Sequence, residues 1–319
     1  MAPRVLVVYK KSAYQLHVLE RKDPHLRYLL RRRNADLLDL RRAHAVHERS
    51  LQTVLDTLKR AGVKADVVYR AGLRRAIQGY RLVISVGGDG TLLQVSHRLR
   101  DVPVLGVNSD RNRSEAVFCS ASRDNVARLI PDALAGRLPQ RKLYRLHVRL
   151  NGRVVGPPVL NDVLIAHEDP ATMSRYRLRV DGREEPQKSS GLWISTAAGS
   201  SSAVMAAGGR QVPWTSRQFQ YRPRELYCGR LTPCRLTGAV LPMRSRVQVT
   251  WLMREGAVFI DGPHVKQPLR FGDRVSITLS SRSPLCVLGD CGPHSQRGSG
   301  ARGRRSGELA ELRALRADS

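Results

Sequence analysis

The chain is poor in acids, lysine and aromatic rings. Asp plus Glu number 27 against 55 Lys plus Arg, a formal charge of +28 over 319 residues, and aromatics make up 5%. So few rings leave little to stack on exposed bases, which argues against a single-strand nucleic-acid binder. Only eight of the basic residues are lysines, and the arginines run along the whole length instead of forming one stripe. The surplus reads as solvated arginine with a general preference for anionic ligands, and nucleic acid is not the expected partner. No run of eighteen apolar residues occurs, which excludes a membrane-spanning helix. The five cysteines, Cys119, Cys228, Cys234, Cys286 and Cys291, lack the closely spaced pair of pairs of a zinc site. Reduced thiols and no protein-held metal are therefore expected. A strand-like run, Val5–Tyr9, leaves no room for a cleaved leader on this reading, and the terminal Arg-Ala-Asp-Ser is no Ser-Lys-Leu signal. The cytoplasm is the expected compartment.

What is present reads as two domains and a tail. A 41% hydrophobic content suffices for one large or two ordinary cores. Residues 1–138 alternate strand and helix: strands over 5–9, 64–69, 81–86 and 102–107, and a helix from about His47 in which Leu51, Val54, Leu55 and Leu58 recur before an Ala61-Gly62 stop. That alternation predicts a parallel sheet. The basic stretch 10–42 shows no assignable pattern. From 139 to 288 the segments become short, often alternating, and punctuated by Asn-Gly, Asp-Gly and Pro, which predicts a β-rich second domain. Residues 289–319 lose apolar content and read as a flexible basic tail with a short helix over 308–315.

Three clusters can carry chemistry. The strand over 82–86 runs into Gly87-Gly88-Asp89-Gly90-Thr91, and a helix is expected from Leu92. A glycine-rich strand-to-helix turn binds phosphate because free N–H groups and the helix dipole converge there. Asp89 within it is placed to take a proton from a substrate hydroxyl, with Thr91 adding a contact. Ordinary turns share this composition, and neither the P-loop pattern nor the dinucleotide glycine fingerprint is present. The second cluster is Ser195-Thr196-Ala197-Ala198-Gly199-Ser200-Ser201-Ser202-Ala203, small and hydroxylated after Leu192-Trp193-Ile194, a surface on which a flat ligand could lie close to the backbone. The third is Asn161-Asp162 at the start of a strand, a donor beside an acceptor suited to ribose hydroxyls or a base edge. Asp261, His264 and Arg175 are weaker candidates.

Together these clusters resemble the NAD kinase family. The matching pieces are Gly87-Gly88-Asp89-Gly90-Thr91-Leu92-Leu93, Leu105-Gly106-Val107-Asn108, Leu160-Asn161-Asp162, the 195–209 stretch and Asp261-Gly262, in that family's order. Gly106-Val107-Asn108-Ser109-Asp110 and Ser190-Gly191 look like the plant and algal NADH kinases. The resemblance implies an α/β domain, a layered β-sheet domain and a site in the crevice between them. It implies ATP and Mg²⁺, NADH or NAD as substrate, and a homodimer. By that analogy Asp89 is the catalytic base, Gly88, Gly90 and Thr91 contact phosphates, and Asn161 and Asp162 hold the adenosine half. Thr196, Gly199, Ser200, Ser201, Ser202 and Ala203 then line the nucleotide pocket, and Asn108, Ser190 and Asp261 join the binding set. Three positions depart from the family: Asp162 stands where most members have Glu, Ala203 where Tyr is common, and Ser190 where Asp is common. Altered handling of the nicotinamide half is expected. The rival readings are a lipid or sugar kinase sharing the glycine-aspartate loop, and a non-catalytic basic nucleic-acid binder.

Overall fold

Val5-Leu6-Val7-Val8 have no polar side chain to leave in water. In the computed structural model, which describes residues 4–230 and 234–292, they lie fully buried in a parallel sheet. β1 (Val5–Tyr9), β2 (Ala65–Tyr69), β3 (Leu82–Gly87) and β4 (Val104–Asn108) pair in the order β2-β1-β3-β4, with the short β5 (Ala121–Ser122) beside β4. The connections carry α1 (Pro24–Arg31), α2 (Ala35–Arg60) and α3 (Asp89–Ser96), and α4 (Val126–Leu134) follows β5. Val54, Leu58 and Ile130 of α2 and α4 cover one sheet face, and α3 covers the other with Leu92 and Val95.

The stretch 10–42, which showed no period, holds a π-helical segment (Tyr14–Glu20), α1 and the start of α2. Caps, not apolar spacing, mark these helices. Asp23 Oδ1 accepts the Leu26 N–H at 3.0 Å ahead of Pro24, and Asn34 Oδ1 accepts the Leu37 N–H at 3.1 Å. α2 consequently begins at Ala35 and not near His47, with Leu37 buried against Tyr14 and Val18.

The second half is a sandwich. In chain order it comprises β6 (Gln140–Leu150), β7 (Arg153–Val154), β8 (Asp162–Ala166), β9 (Ser174–Val180), β10 (Arg183–Ser189), β11 (Leu192–Thr196), α5 (Ala203–Ala206), β12 (Gln218–Pro223) and β13 (Ala239–Pro242). β14 (Arg246–Trp251), β15 (Gly256–Ile260), β16 (Val265–Leu269) and β17 (Arg274–Leu288) complete it. One antiparallel sheet runs β13-β12-β11-β8-β15-β16; β10-β9-β14-β17, with β6, faces it across a core that includes Ile165, Tyr176, Ile194, Phe219, Trp251 and Ile277. Asn151-Gly152 and Asp181-Gly182, both pairs at positive φ, form the hairpin turns after β6 and β9. β10 was not legible, because Arg-Glu-Glu-Pro-Gln-Lys-Ser lacks apolar alternation. It is an edge strand, where charge faces water and Pro186 is tolerated.

The two halves share one sheet. β17 pairs with β14 inside the sandwich, shifts register between Ser280 and Leu285, and then brings Val287 beside Val104 of β4. Leu143, Leu285, Val287 and Cys291 thus pack in the core beneath α3, together with Leu160, Ala198 and Trp214. Any cleft between the halves has a packed floor. One cysteine expectation is corrected: Cys228 and Cys234 form a disulfide, their Cα atoms 5.6 Å apart. Neighbouring backbone bonds bring them together, Tyr227 N–H to Lys188 O at 2.9 Å and the Arg235 and Leu236 N–H groups to the Glu185 carboxylate. Cys119, Cys286 and Cys291 are free thiols. No helix among the described residues is long and apolar enough to cross a membrane. The proposed tail helix over 308–315 lies outside the described residues.

Candidate active site

β3 is buried along its whole length and ends at Gly87, where a Cβ would collide with the Thr91 side chain. Gly88 caps α3, so the helix starts at Asp89 itself, three residues before the expected Leu92. The Asp89 carboxylate is held from outside its helix: Oδ2 accepts the Val117 N–H at 3.0 Å and Oδ1 the Phe118 N–H at 2.9 Å. Each oxygen retains a lone pair for a further proton donor. Burial, assisted by nearby Glu115, raises the Asp89 pKa above the ordinary carboxylate value against the pull of the two N–H groups.

Asp89 lines a cavity of ≈550 Å³ to which both halves contribute. The first half supplies Asp89, Leu93 and the loop Ser114-Glu115-Ala116-Val117-Phe118; the second supplies Asn161, Ala198, Ser201 and Ser202, with Gly292 at the margin. Two cations stand beside the phosphate-type turn. Arg70 Nη1 lies 4.0 Å from where a Gly90 Cβ would be. Lys10 neighbours Arg70, and its pKa is lowered by burial and then by that guanidinium. Both residues directly follow parallel strands, β2 and β1, at the sheet edge where α/β folds place ligands. That position was the signal available in the sequence, and it was missed, as was the 114–118 loop.

The opposite wall is built on Asp261. Its side chain is fully buried, and its carboxylate accepts the N–H groups of Leu160 at 3.0 Å, Asn161 at 2.7 Å and Asp162 at 3.1 Å. Asn161 Nδ2 and Ser202 Oγ each donate to Asp162 Oδ2 at 3.0 Å. Thr196 Oγ1 donates to Leu160 O at 2.6 Å and accepts the Gly199 N–H at 3.0 Å, folding the small-residue turn back over Asn161. Gly199 is packed so closely that a Cβ would stand 2.6 Å from Asn161 Oδ1. Burial, and then the Asp261 charge, push the Asp162 pKa up to about 7.

The expected residues therefore divide. Asp89, Asn161, Ser201 and Ser202 reach the cavity; Gly88 packs beside Ser114 of the same wall, Gly90 is exposed in the first turn of α3, and Ala203 opens α5 after Ser202. Others brace the walls. Thr91 is buried, its side chain packed against Gly87 at the end of β3. Asn108 donates to Ser114 O at 2.7 Å and accepts the Asp110 N–H at 3.0 Å, so it shapes the 114–118 loop. Ser200 is consumed by Ala197 O at 2.7 Å and Val212 N–H at 3.0 Å, and Thr196, Asp162 and Asp261 are buried polar supports. Ser190 lies beyond the other end of β11, about 20 Å of extended chain from Thr196, with its hydroxyl 3.9 Å from Met173 Sδ. Arg175 borders a separate cavity of ≈630 Å³, and His264 is an exposed turn residue.

The raised Asp162 pKa has a consequence for stability. In the unfolded chain this carboxyl titrates near its ordinary value of 3.8, in the folded chain at about 7. Between those values the folded state binds the proton more strongly, so this contribution is full below pH 4 and is lost as pH rises to 7. Urea unfolding at pH 5 and pH 8 checks this. Relative to Asp162→Asn, the wild type loses stability between the two, by a few kcal/mol at most given about 1.4 kcal/mol per pKa unit.

Comparison with known proteins agrees with this architecture. Residues 15–137 match the ATP-NAD kinase N-terminal domain model. The chain is 35% identical over 262 residues to a probable NADH kinase of Oryza sativa subsp. japonica, covering 75% of this chain and 80% of that one. It is 34% identical over 272 residues to an NADH kinase of Arabidopsis thaliana, covering 75% and 82%. Among solved structures, yeast NADH kinase complexed with NADH superposes with a TM-score of 0.68 at 13% identity, covering 91% of this chain and 84% of that one. An NAD kinase from Archaeoglobus fulgidus in complex with ATP gives 0.62 at 20%, covering 89% and 93%. With the glycine-aspartate turn, the Asn-Asp strand start and the small-residue turn converging on one cleft, and with relatives of this similarity over most of their length, the chain belongs to the NAD kinase family.

Proposed function

We propose that this protein transfers the γ-phosphoryl group of ATP to the 2′-hydroxyl on the adenosine ribose of NADH, NAD or both, giving NADPH or NADP. The observation that carries the reading is the Asp89 carboxylate, anchored by two N–H groups and open to a cavity shared by both halves. Asp89 accepts the 2′-hydroxyl proton as that oxygen attacks the γ-phosphorus in line. Its anchoring fixes the direction from which the hydroxyl must approach, and its raised pKa makes it a stronger base once ionised. Backbone N–H groups at Gly88 and Gly90, with the Arg70 and Lys10 charges behind them, stabilise the negative charge on the phosphates. Asn161, Ser201 and Ser202 supply the polar edge for the adenosine half, and Ala198 the apolar surface.

No group of three His, Cys, Asp or Glu among the described residues could cage a metal. Mg²⁺ bound to a nucleotide needs none, since it takes phosphate oxygens, waters and one or two carboxylates. Glu115 on the cavity wall fits that need. When bound, the ion neutralises phosphate charge. The reading also includes a homodimer and a cytoplasmic location. Light scattering of the purified chain tests the first and fractionation of cells the second, with recovery from mitochondria overturning it; the 28%-identical human relative is named a mitochondrial NAD kinase.

A coupled assay with ATP and Mg²⁺ decides the function. NADPH or NADP formation is the expected result, run against a sphingoid base and a sugar phosphate as alternative acceptors. Phosphorylation of either alternative in preference to the dinucleotides would select the lipid or sugar kinase. Tight RNA binding at physiological salt with no product would select the nucleic-acid binder.

A further inference from the structure

α3 presents Asp89 at its first position and ends at Ser96, so the segment carrying the base is only about 12 Å long. The residue just past its end is His97, whose Nε2 lies 2.8 Å from Asp261 Oδ2, with both side chains nearly or wholly out of solvent. Asp261 is the carboxylate whose other contacts are the N–H groups of Leu160, Asn161 and Asp162. Two oxygens offer about four acceptor sites, and four N–H donors fill them. His97 is the only one of the four from the first half. A second link sits at the same helix end, where Arg145 Nη1 of β6 donates to Ser96 O at 2.9 Å and Leu99 O at 3.0 Å. The backbone of Asp261 is in the left-handed region, φ 48°, as expected of a turn shaped around what its side chain holds.

We propose that His97 is a positioning residue for the dinucleotide: through Asp261 it sets where the Asn161-Asp162 backbone stands relative to Asp89, without itself reaching the cavity. The helix that carries the base thus also grips the strand start that carries the acceptor site. Removing the imidazole leaves Asp261 with one acceptor site unfilled and frees the 160–162 backbone to move against α3. Dinucleotide binding then weakens while ATP binding, which depends on the other end of α3, does not.

This inference rests on the kinase reading, and the test separates the two. Steady-state constants and hydrogen-exchange protection of the Leu160, Asn161 and Asp162 amides are measured for wild type, His97→Leu and His97→Gln. The leucine fills the volume without a donor, and the glutamine amide restores one. His97→Leu is expected to raise KM for NADH or NAD about 10-fold, the scale of one lost charge-assisted hydrogen bond, with KM for ATP within about two-fold and weaker protection of the three amides. His97→Gln is expected to recover most of both effects. An unchanged dinucleotide KM in His97→Leu with a lowered Tm would make the residue merely structural and overturn the inference alone. Absence of any dinucleotide turnover in the wild type would overturn the kinase reading, and this inference with it. Should His97→Leu fail to fold, His97→Gln alone decides, since native amide protection with native KM supports the donor role and native protection with a raised KM refutes it.

Discussion

Asp89→Asn lowers kcat by at least about 100-fold, the ordinary scale for loss of a general base, while Tm and nucleotide binding stay close to wild type. The geometry explains why the two readouts separate. The amide oxygen keeps one of the two N–H contacts from Val117 and Phe118, and removing a buried charge offsets the loss of the other. The floor beneath, Val83, Leu92, Val95 and Val287, does not involve this carboxyl. The pH profile supplies an independent check. In the wild type kcat/KM rises with pH as Asp89 ionises, its midpoint displaced above the usual carboxylate range by burial, and that limb disappears in Asp89→Asn. Wild-type turnover in the variant would remove Asp89 from the role. An unshifted acidic limb would show instead that the two N–H groups fully offset desolvation.

Gly199→Ala has the second large expected effect, and for a different reason. The backbone at Gly199 does not need a positive φ; what excludes a side chain is the Asn161 backbone and amide pressed against it. A methyl there must push the 197–202 turn off Asn161, breaking the Gly199 N–H bond to Thr196 and shifting Ser202 from Asp162. Overpacking of this kind costs about 2 kcal/mol, and KM for the dinucleotide is expected to rise about 10-fold or more, read by urea titration and initial rates. Gly72→Ala is the control, since a Cβ there meets Val68 Cγ1 at an ordinary 3.6 Å. Equal loss of stability in both variants would mean that the close approach at Gly199 has no special weight.

The parallel strands were readable because each is a short, mostly apolar run between punctuated segments, and β1, β3 and β4 are buried along nearly their whole length while β2 closes the sheet edge with Asp66 and a half-exposed Val67. The hairpins after β6 and β9 were readable because Asn-Gly and Asp-Gly tolerate the positive φ of a two-residue turn. Helices α1 and α2 were harder. Their outer faces are charged all round, so their starts lie in the single side chains of Asp23 and Asn34. β10 and the disulfide were not readable, since an edge strand needs no apolar pattern and a separation of six residues does not by itself bring two cysteines together.

The site divides in the same way. Residue type did not suffice for Asp89, since ordinary turns share its composition; the strand before it and the helix after it pointed to a phosphate-type turn, and the resemblance joined to it the Asn161-Asp162 and Ser195–Ala203 segments as partners. Neither could say which hydroxyls face the ligand. Thr196 and Ser200 look like binding groups in one dimension, yet the fold spends both on backbone contacts, because a turn pressed against a sheet must satisfy its own N–H and C=O groups first. Asp261, 99 or more residues away in the chain from the N–H groups it holds, became a support and not a ligand only when β15 and β8 paired. Local chemistry is written residue by residue. Whether a polar atom is free or already bonded depends on which distant segment arrives beside it, and only tertiary packing decides that.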